Sequence, residues 1–600
     1  MTMESERLPP DAPIPPAAHS TTDAAVPSAP IPAPPGRRWP ALTIVLYSTI
    51  VLIAWLTLEL WGLGAGPFHT KGEPREALVV WEMTHHGGWI LPERNGTELP
   101  SKPPLFHWLG AVTSMLHGNT DEWSIRLPSA VTSLVALLCV FAAGCILWNP
   151  RAGLLSTLLL MTTFEWARAA TNARVDMTLT LGLQLAFLGL LFFLRQRRAV
   201  WLVPMYLGIT LAVLGKGPVG VALPGLVALA MVAFAWDIAP LRRMRLLTGA
   251  LVVAVGAGTW YLLALLIGGY DFFNKQILKE NLFTFVDNPD VHYGGHRHPA
   301  FYMVGALLAG VLPWTVCLPG VATRLWRERG ALTRDDVRVY LLVWGAIVFA
   351  FFAVAASKRS VYLLAMYPAL ALLLGWWWDE TARVPQAESR WNATIVSWFG
   401  WILFGVLVPL VLVVLLEALG VPLAVTVGKW LPADAGSYCA LTSDVIRSDR
   451  WRLLGLLVAS AGALYSMLRA ARERQWLGIF AGLWATTALV LMAVRLSILP
   501  AVAERLSLRD FMAEVRHTVG ADGGLAFYKT FDYGAVFYWQ GHIPIFEGEW
   551  PAGAPQYLLV QKSDWPDLNV TAQGQFEAIT LPPDRDQFSE LVLIRRRGAQ

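Results

Sequence analysis

Charge is scarce in this chain. Of 600 residues only 15% are Asp, Glu, Lys or Arg, against 55% hydrophobic, and the mean hydropathy is +0.48. That balance excludes an ordinary soluble fold. Cysteine is nearly absent: Cys139, Cys145, Cys317 and Cys439 show no metal-ligand spacing, and three lie in or beside apolar runs, so no disulfide framework is implied. No basic, aromatic-interleaved stretch lies on a polar segment, so a nucleic-acid partner has no footprint. Internal repeats are also missing, which counts against a secondary transporter built from repeated broken helices.

What fills the chain is apolar runs of about 18–25 residues, the length of a membrane-spanning helix. They occur near 41–63, 126–147, 152–168, 176–194, 199–215, 218–236, 246–268, 300–321, 339–356, 360–378, 392–418, 452–469 and 476–499. The pattern predicts a polytopic α-helical membrane protein with about thirteen spans.

The few charges gather at alternate ends of these runs in two chemically different sets. One is plain basic punctuation: Arg37-Arg38, Arg151, Arg195 to Arg198, Arg242-Arg243 with Arg245, Arg324 with Arg327 and Arg329, and Arg469 to Arg474. An amino terminus on the cytoplasmic side puts every one of these clusters on that side, as the positive-inside rule requires. The other set mixes carboxylates, bases, aromatics and prolines, and it falls on the opposite, periplasmic or extracellular side. An odd number of spans leaves the carboxyl terminus there too.

Residues 1–38 are Pro/Ala-rich without hydrophobic periodicity and read as a disordered cytoplasmic tail. The first apolar run starts late and has full spanning length, so it reads as a span rather than a cleaved leader. Residues 39–499 are the multi-span region, with outward loops at 64–125 and 269–299. Within the first loop, 74–86 and 104–117 have helical apolar spacing but are too short to span, and read as interfacial helices. From 500 to 600 the chain turns soluble. A helix is expected at Ser507 to Val519, with strands at Leu525–Tyr528, Val536–Trp539, Tyr557–Val560 and Leu591–Ile594, forming a small α/β domain.

Cations on the outward face are on the wrong side for positive-inside anchors. Arg75, Lys102, Arg126, Arg168, Arg174, Lys216, Lys358 and Arg359 all lie at outward helix ends or in the first loop. Such a set suits an anionic lipid headgroup, a phosphate above all, and would stabilise a phosphate leaving group. Snorkelling to headgroups stays open for Arg126, Arg168 and Arg359, and less so for Lys102 and Lys216, whose Pro/Gly neighbours fix unusual backbone. Among the carboxylates, Glu73 and Asp176 are candidate general bases, while Glu76 suits a salt bridge equally well. His292, His296 and His298 lack a specific ligand spacing and read as solvated loop residues. Asn95-Gly96-Thr97 matches a glycosylation triplet, a weak signal at that length.

The order of these motifs resembles the polyprenyl-phosphate-dependent glycosyltransferases of the protein-mannosyltransferase superfamily, and within it the lipid A aminoarabinose transferase branch. The resemblance rests on Gly72-Glu73-Pro74-Arg75-Glu76-Ala77, Gly88-Trp89-Ile90-Leu91-Pro92 and Lys102-Pro103-Pro104-Leu105-Phe106-His107-Trp108. It continues through Ser124 to Ser129, Arg174-Val175-Asp176, Lys216-Gly217 and Lys358-Arg359-Ser360-Val361-Tyr362. It implies a GT-C type fold and an inverting enzyme that passes a sugar from undecaprenyl phosphate to an envelope acceptor, often lipid A. Arg75, Lys102 and Lys216 resemble the family's phosphate and donor contacts, Tyr362 its donor-side tyrosine and Asp176 its second acid. Arg174 and Lys358 extend the donor set; Glu76, Arg126 and His107 are expected to serve the acceptor or support the site.

Departures from the family pattern matter. Its usual Asp-Glu pair reads Gly72-Glu73 here, so the first acid is missing. Where aminoarabinose transferases carry Glu before the Lys-Pro this chain has Ser101, and where they carry Glu-His it has Glu280-Asn281. The lost Glu and His are metal partners in relatives by this resemblance, so a required metal is not expected here. An acceptor phosphate, already ionised, would tolerate the missing acid; a hydroxyl would need Glu73 or Asp176 as base. Transfer to protein, as in protein O-mannosyltransferases, and a lipid or solute transporter are the alternatives.

Overall fold

The computed structural model describes residues 39–597 apart from 236–237, 284–297, 331, 334–335, 384–389, 431–432, 521–522, 549–553, 572–573 and 580–589. The expected tail at 1–38, and His292 and His296 of the second loop, lie outside the described residues.

The chain is a multi-pass helical membrane protein. Among the described residues ten helices are long and apolar enough to cross a membrane, and the pair Tyr302–Gly310 and Trp314–Arg327, bent by 100°, makes an eleventh candidate. Two expected spans are shorter. Val219–Ala235 has 17 residues, and the run expected at 152–168 is divided into Pro150–Met161 and Phe164–Ala170. The division falls at Thr162-Thr163, whose hydroxyls donate back to the carbonyls of Leu158 (2.9 Å) and Leu160 (2.8 Å) and so compete with the helical ladder. Twelve helical residues reach only about 18 Å, short of a hydrocarbon core of about 30 Å.

The two charge sets occupy opposite ends of the same helices. Helix Asp176–Gln196 carries Asp176 at one end and Arg195 at the other, and Ser360–Arg383 runs from the Tyr362 end to Asp379 and Arg383. At the basic end Asp379, 1% exposed, gathers Asn149 Nδ2 (2.7 Å), Arg383 (2.9 Å) and Arg151. Helices Asp176–Gln196 and Leu202–Lys216 pack as an antiparallel pair at very close range. A Cβ on Gly182 would meet the Ala212 nitrogen at 2.6 Å, and one on Gly208 the Ala186 nitrogen at 2.5 Å, so small residues let the backbones touch. That contact sets the first residue of one helix beside the last residue of the other.

Between the first two spans, helices Gly72–His85 and Leu105–His117 form as the spacing predicts. The second turns Val112, Met115 and Leu116 outward, an apolar stripe that suits a membrane surface. The first departs from an interfacial helix: Ala77, Leu78, Val79, Val80, Trp81 and Met83 are all buried. A helix buried on nearly every side, its carboxylates included, needs cover all round. Here the cover comes from Leu105–His117 and from the carboxyl-terminal region, whose Phe511, Met512, Val536 and Phe537 share one core with it.

That region holds helix Arg509–Val519 and strands β1 (Leu525–Tyr528), β2 (Ile545–Phe546), β3 (Tyr557–Gln561), β4 (Phe576–Ala578) and β5 (Leu591–Arg596). The sheet order is β2-β1-β3-β5-β4, parallel at β1 with β2 and β3, antiparallel at β5 with β3 and β4. One expected strand is a helix. At Tyr533–Trp539 the Asp532 carboxylate caps the amino end by accepting from the Gly534 (2.7 Å) and Ala535 (3.0 Å) amides. The cap overrides the strand preference of Val536-Phe537-Tyr538-Trp539.

Candidate active site

The antiparallel helix pair builds the first part of the site. Asp176 sits in the first turn of its helix and Lys216 ends its own, each at the terminus whose dipole favours its charge. The Lys216 ammonium lies 2.6 Å from Asp176 Oδ1 and 4.4 Å from the centroid of the Tyr362 ring, so a carboxylate and an aromatic face hold it. Arg174 Nε donates to the other oxygen, Asp176 Oδ2, at 3.1 Å. Asp176 is 3% exposed, with one cation on each oxygen.

Arg174 also meets the first loop. A Cβ on Gly72 would lie 3.2 Å from its Nη1, so the glycine that stands where the resemblance expects an acid leaves room for the guanidinium. One residue on, Glu73 is fully engaged. Its Oε1 accepts from Arg126 Nε (2.8 Å) and the Ala173 amide (3.0 Å), and its Oε2 from Arg126 Nη2 (3.1 Å). Burial alone would raise this carboxyl, but Arg126 and the Ala173 amide hold it below the usual carboxylate range. A group that binds protons more weakly, with both oxygens occupied, is a poor proton acceptor. The geometry therefore goes against Glu73 as general base.

A turn further along the same helix, Glu76 is buried between Arg75 and His107. Arg75 donates to Oε1 from Nε (3.0 Å) and Nη2 (2.6 Å), and His107 Nε2 lies 2.8 Å from Oε2. Burial opposes ionisation of Glu76, yet Arg75 and His107 hold it well below the ordinary range. Glu76 in turn raises the Arg75 guanidinium, with a smaller contribution from Glu280.

Glu280 enters the site although the sequence marks it only as the first half of the family's Glu-His position. Its Oε2 lies 2.7 Å from Lys102 Nζ, tying the first loop to the far end of helix Leu246–Asn281 across 178 positions. Its neighbour Asn281 touches Gly217: a Cβ there would sit 2.9 Å from Asn281 Oδ1, and the positive φ of +86° also calls for glycine. Arg75, Lys102 and Lys216 do not touch one another directly. Two of them are joined through neighbours, Lys102 to Glu280 and Asn281 to Gly217, then Lys216, Asp176 and Arg174 to Gly72, while Arg75 feels the Glu280 charge without pairing to it. Side-chain exposures of 26%, 19% and 15% leave the three cations reachable.

Lys358 stands apart. It is 7% exposed and donates to the Ala355 carbonyl at 2.6 Å, with no carboxylate partner among the described residues. Arg168 pairs with Glu165, which also accepts from Ser360 Oγ at 3.4 Å. His298 stacks on Tyr302, ring centroids 4.2 Å apart. Asn95 is no sugar acceptor: its side chain is buried and clasps the Ile543 backbone through two bonds of 2.8 Å.

The metal set that the family resemblance implies does not fit these residues. Ser101 and Asn281 replace the Glu and His, the Asn281 amide donates to the Gln276 carbonyl, and Glu280 is taken by Lys102. One paired carboxylate with a serine and an amide is a poor donor set for a divalent transition metal.

Residues 101–267 match the family model described as dolichyl-phosphate-mannose-protein mannosyltransferase. The chain is similar to the undecaprenyl phosphate-alpha-4-amino-4-deoxy-L-arabinose arabinosyl transferase of Pectobacterium atrosepticum, 28% identical over 61% of this chain and 64% of that relative. It is also similar to one such transferase of Pseudomonas fluorescens, 26% identical over 58% of this chain and 61% of the relative. The match thus spans a little under two thirds of these relatives' own length. In fold the chain is similar to the crystal structure of ArnT from Cupriavidus metallidurans bound to undecaprenyl phosphate, with a TM-score of 0.68, 20% identity, and coverage of 93% of this chain and 98% of that one. The resemblance read from the motifs is borne out: this is a GT-C type membrane protein, similar in sequence and fold to the polyprenyl-phosphate-dependent glycosyltransferases that include the aminoarabinose transferases.

Proposed function

We propose that this protein is an inverting membrane glycosyltransferase that moves a sugar from undecaprenyl phosphate to an envelope acceptor, lipid A above all, on the periplasmic face of the bacterial inner membrane. The names of its relatives support the donor, with aminoarabinose or a like sugar as cargo. The basic end of the bundle then faces the cytoplasm, and residues 500–600 form a periplasmic domain beside the 39–499 transferase.

In this reading Arg75, Lys102, Arg174 and Lys216 surround the donor phosphate, with Tyr362 beneath Lys216 and Lys358 behind. The bond between the anomeric carbon and the donor phosphate oxygen breaks as the acceptor oxygen bonds from the opposite face. Polyprenyl phosphate leaves with the electron pair, and these cations stabilise the charge it gains. Glu73 with Arg126, and Glu76 with His107, hold the helix that carries Arg75. Asp176 keeps Lys216 and Arg174 in place.

The observation that carries the reading is that the reachable groups are cations while the carboxylates beside them, Glu73, Glu76, Asp176 and Glu280, are already paired. A site without a spare base suits a nucleophile ionised at neutral pH, such as a phosphate of lipid A, better than a hydroxyl. The test incubates purified protein with undecaprenyl-phosphate aminoarabinose and lipid A and follows both by mass spectrometry. Sugar on a lipid A phosphate supports the proposal; an intact donor in protein shown to be folded rejects it. Sugar transferred to protein instead would assign the protein acceptor, and movement of donor across vesicles without cleavage would assign a transporter.

A further inference from the structure

On the helix that carries Arg75 and Glu76, two turns further on, lies a second polar cluster that the transfer reaction does not use. Glu82 is buried, with 6% of its side chain exposed, and neither Lys nor Arg pairs with it among the described residues. Its Oε2 meets His86 Nδ1 at 2.9 Å, one turn along the same helix, and its Oε1 meets His542 Nε2 at 2.8 Å, from the carboxyl-terminal region. One ligand atom from each of the three residues lies within 4.8 Å of the others.

The surroundings position these groups. Trp81 packs edge-on against both imidazoles, at 5.1 Å from His86 and 6.4 Å from His542. Asn95 locks the backbone of Ile543, the next residue, through two hydrogen bonds of 2.8 Å. Gly96 leaves the space His542 occupies, since a Cβ there would stand 3.0 Å from its ring. His86 and His542 keep 54% and 43% of their side chains exposed, so one side of the cluster stays open.

We infer that Glu82, His86 and His542 form a binding site for a divalent transition metal, zinc by its donor set, which pins the carboxyl-terminal region to the helix bearing Arg75. Two imidazoles and one carboxylate are a zinc set, with a fourth position left for water. Tetrahedral zinc with bonds of about 2.0 Å spaces its ligand atoms by about 3.3 Å, so a small rotation of either exposed imidazole closes the present spacing. A metal would also supply the positive charge that a buried, otherwise cation-free Glu82 lacks. The site is separate from the donor site and does not depend on the proposed reaction.

The test uses tag-free, full-length protein in detergent, stripped with EDTA, given a slight excess of zinc and desalted. Elemental analysis should find about one zinc per wild-type chain. Exposed His86→Ala and His542→Ala should each weaken zinc affinity at least about tenfold, and the zinc-induced rise in Tm should disappear. Lys102→Ala should keep its zinc. Wild-type protein that retains none, or histidine variants that retain as much as wild type, would overturn the site and leave a plain carboxylate–imidazole hydrogen-bond cluster. Neither result bears on sugar transfer, whose assay runs separately.

Discussion

Glu73 with Arg126 and Asp176 with Lys216 are both buried ion pairs at the same end of the bundle, yet they differ in what is left over. Arg126 has no donor to spare: it reaches both Glu73 oxygens and the carbonyls of Leu63 (3.1 Å), Gly66 (2.8 Å) and Pro67 (3.5 Å). Lys216 has one carboxylate oxygen and an aromatic face for three N–H groups, and keeps 15% of its side chain exposed. Lys102 is similar, with Glu280 its one acceptor among the described residues. A saturated pair fixes the chain; an unsaturated one can take a ligand. The contrast separates structural charges from binding charges where composition cannot, since both kinds are Arg or Lys beside Asp or Glu.

The largest effect should come from breaking the saturated pair. Glu73→Gln or Arg126→Ala leaves a buried charge without its partner, a loss of about 3–5 kcal/mol. Purified variants should show a large drop in Tm or fail to accumulate, and replacing both residues together with apolar ones should cost less than either single change. If Glu73→Gln kept wild-type Tm but lost only catalysis, Glu73 would be a reacting group and the contrast would fall.

Next comes the unsaturated side. Lys102→Ala should lower transfer about 10²- to 10³-fold, the scale of removing one preorganised contact to developing charge. Its Tm should stay close to wild type, because Glu280, 30% exposed, can be rehydrated. Lys216→Ala should lose activity on the same scale with some stability as well, since buried Asp176 then keeps Arg174 alone. Normal transfer by Lys102→Ala would remove it from the donor site.

Much of this site was legible because its residues stand in short motifs at helix ends, where charge is otherwise scarce. Glu73, Arg75, Lys102, Arg174, Asp176, Lys216 and Tyr362 all fall at the end opposite the basic clusters, as sidedness predicts. What stayed hidden depends on distant segments meeting. Glu280 stands in a family motif, but its pairing with Lys102 appears only once folding joins segments 178 positions apart. Helix Gly72–His85 reads as interfacial because its cover lies more than 400 residues later, in Phe511 and Val536. The strand assigned to Val536–Trp539 failed for the opposite reason: a local cap at Asp532 outweighed residue preference. Pairing distance, more than motif strength, set what could be read.

A graded effect follows from pH. Glu73, Glu76 and Glu98 all lie below the usual carboxylate range in the folded protein, so each binds protons more readily when unfolded. Their stabilisation is fully present above the unfolded value of about 4.3 and is lost as pH falls through the folded values. Tm should therefore be flat from pH 7 to about 5 and fall steeply below about 4. Arg126→Ala should flatten the acid limb, because Glu73 is then no longer held low.

The smallest effect probes the contact between the carboxyl-terminal region and the first loop. The Tyr538 hydroxyl accepts from the Phe68 amide at 2.8 Å and donates to Glu122 Oε1 at 2.8 Å, so one oxygen joins the carboxyl-terminal region, the loop and the start of the second span. Tyr538→Phe keeps the ring and its packing and removes only these two bonds, at a cost of about 1 kcal/mol. Because Glu122 is half-buried at a helix start while Phe68 is buried, the loss should fall mainly on the amide. Hydrogen exchange at Phe68 should rise while exchange in helix Asp176–Gln196 stays unchanged. If exchange rose equally in both, the carboxyl-terminal region would be holding the Asp176–Lys216 pair as firmly as it holds the loop. The division between a fixed inner pair and a ligand-ready rim would then have to be redrawn around that region.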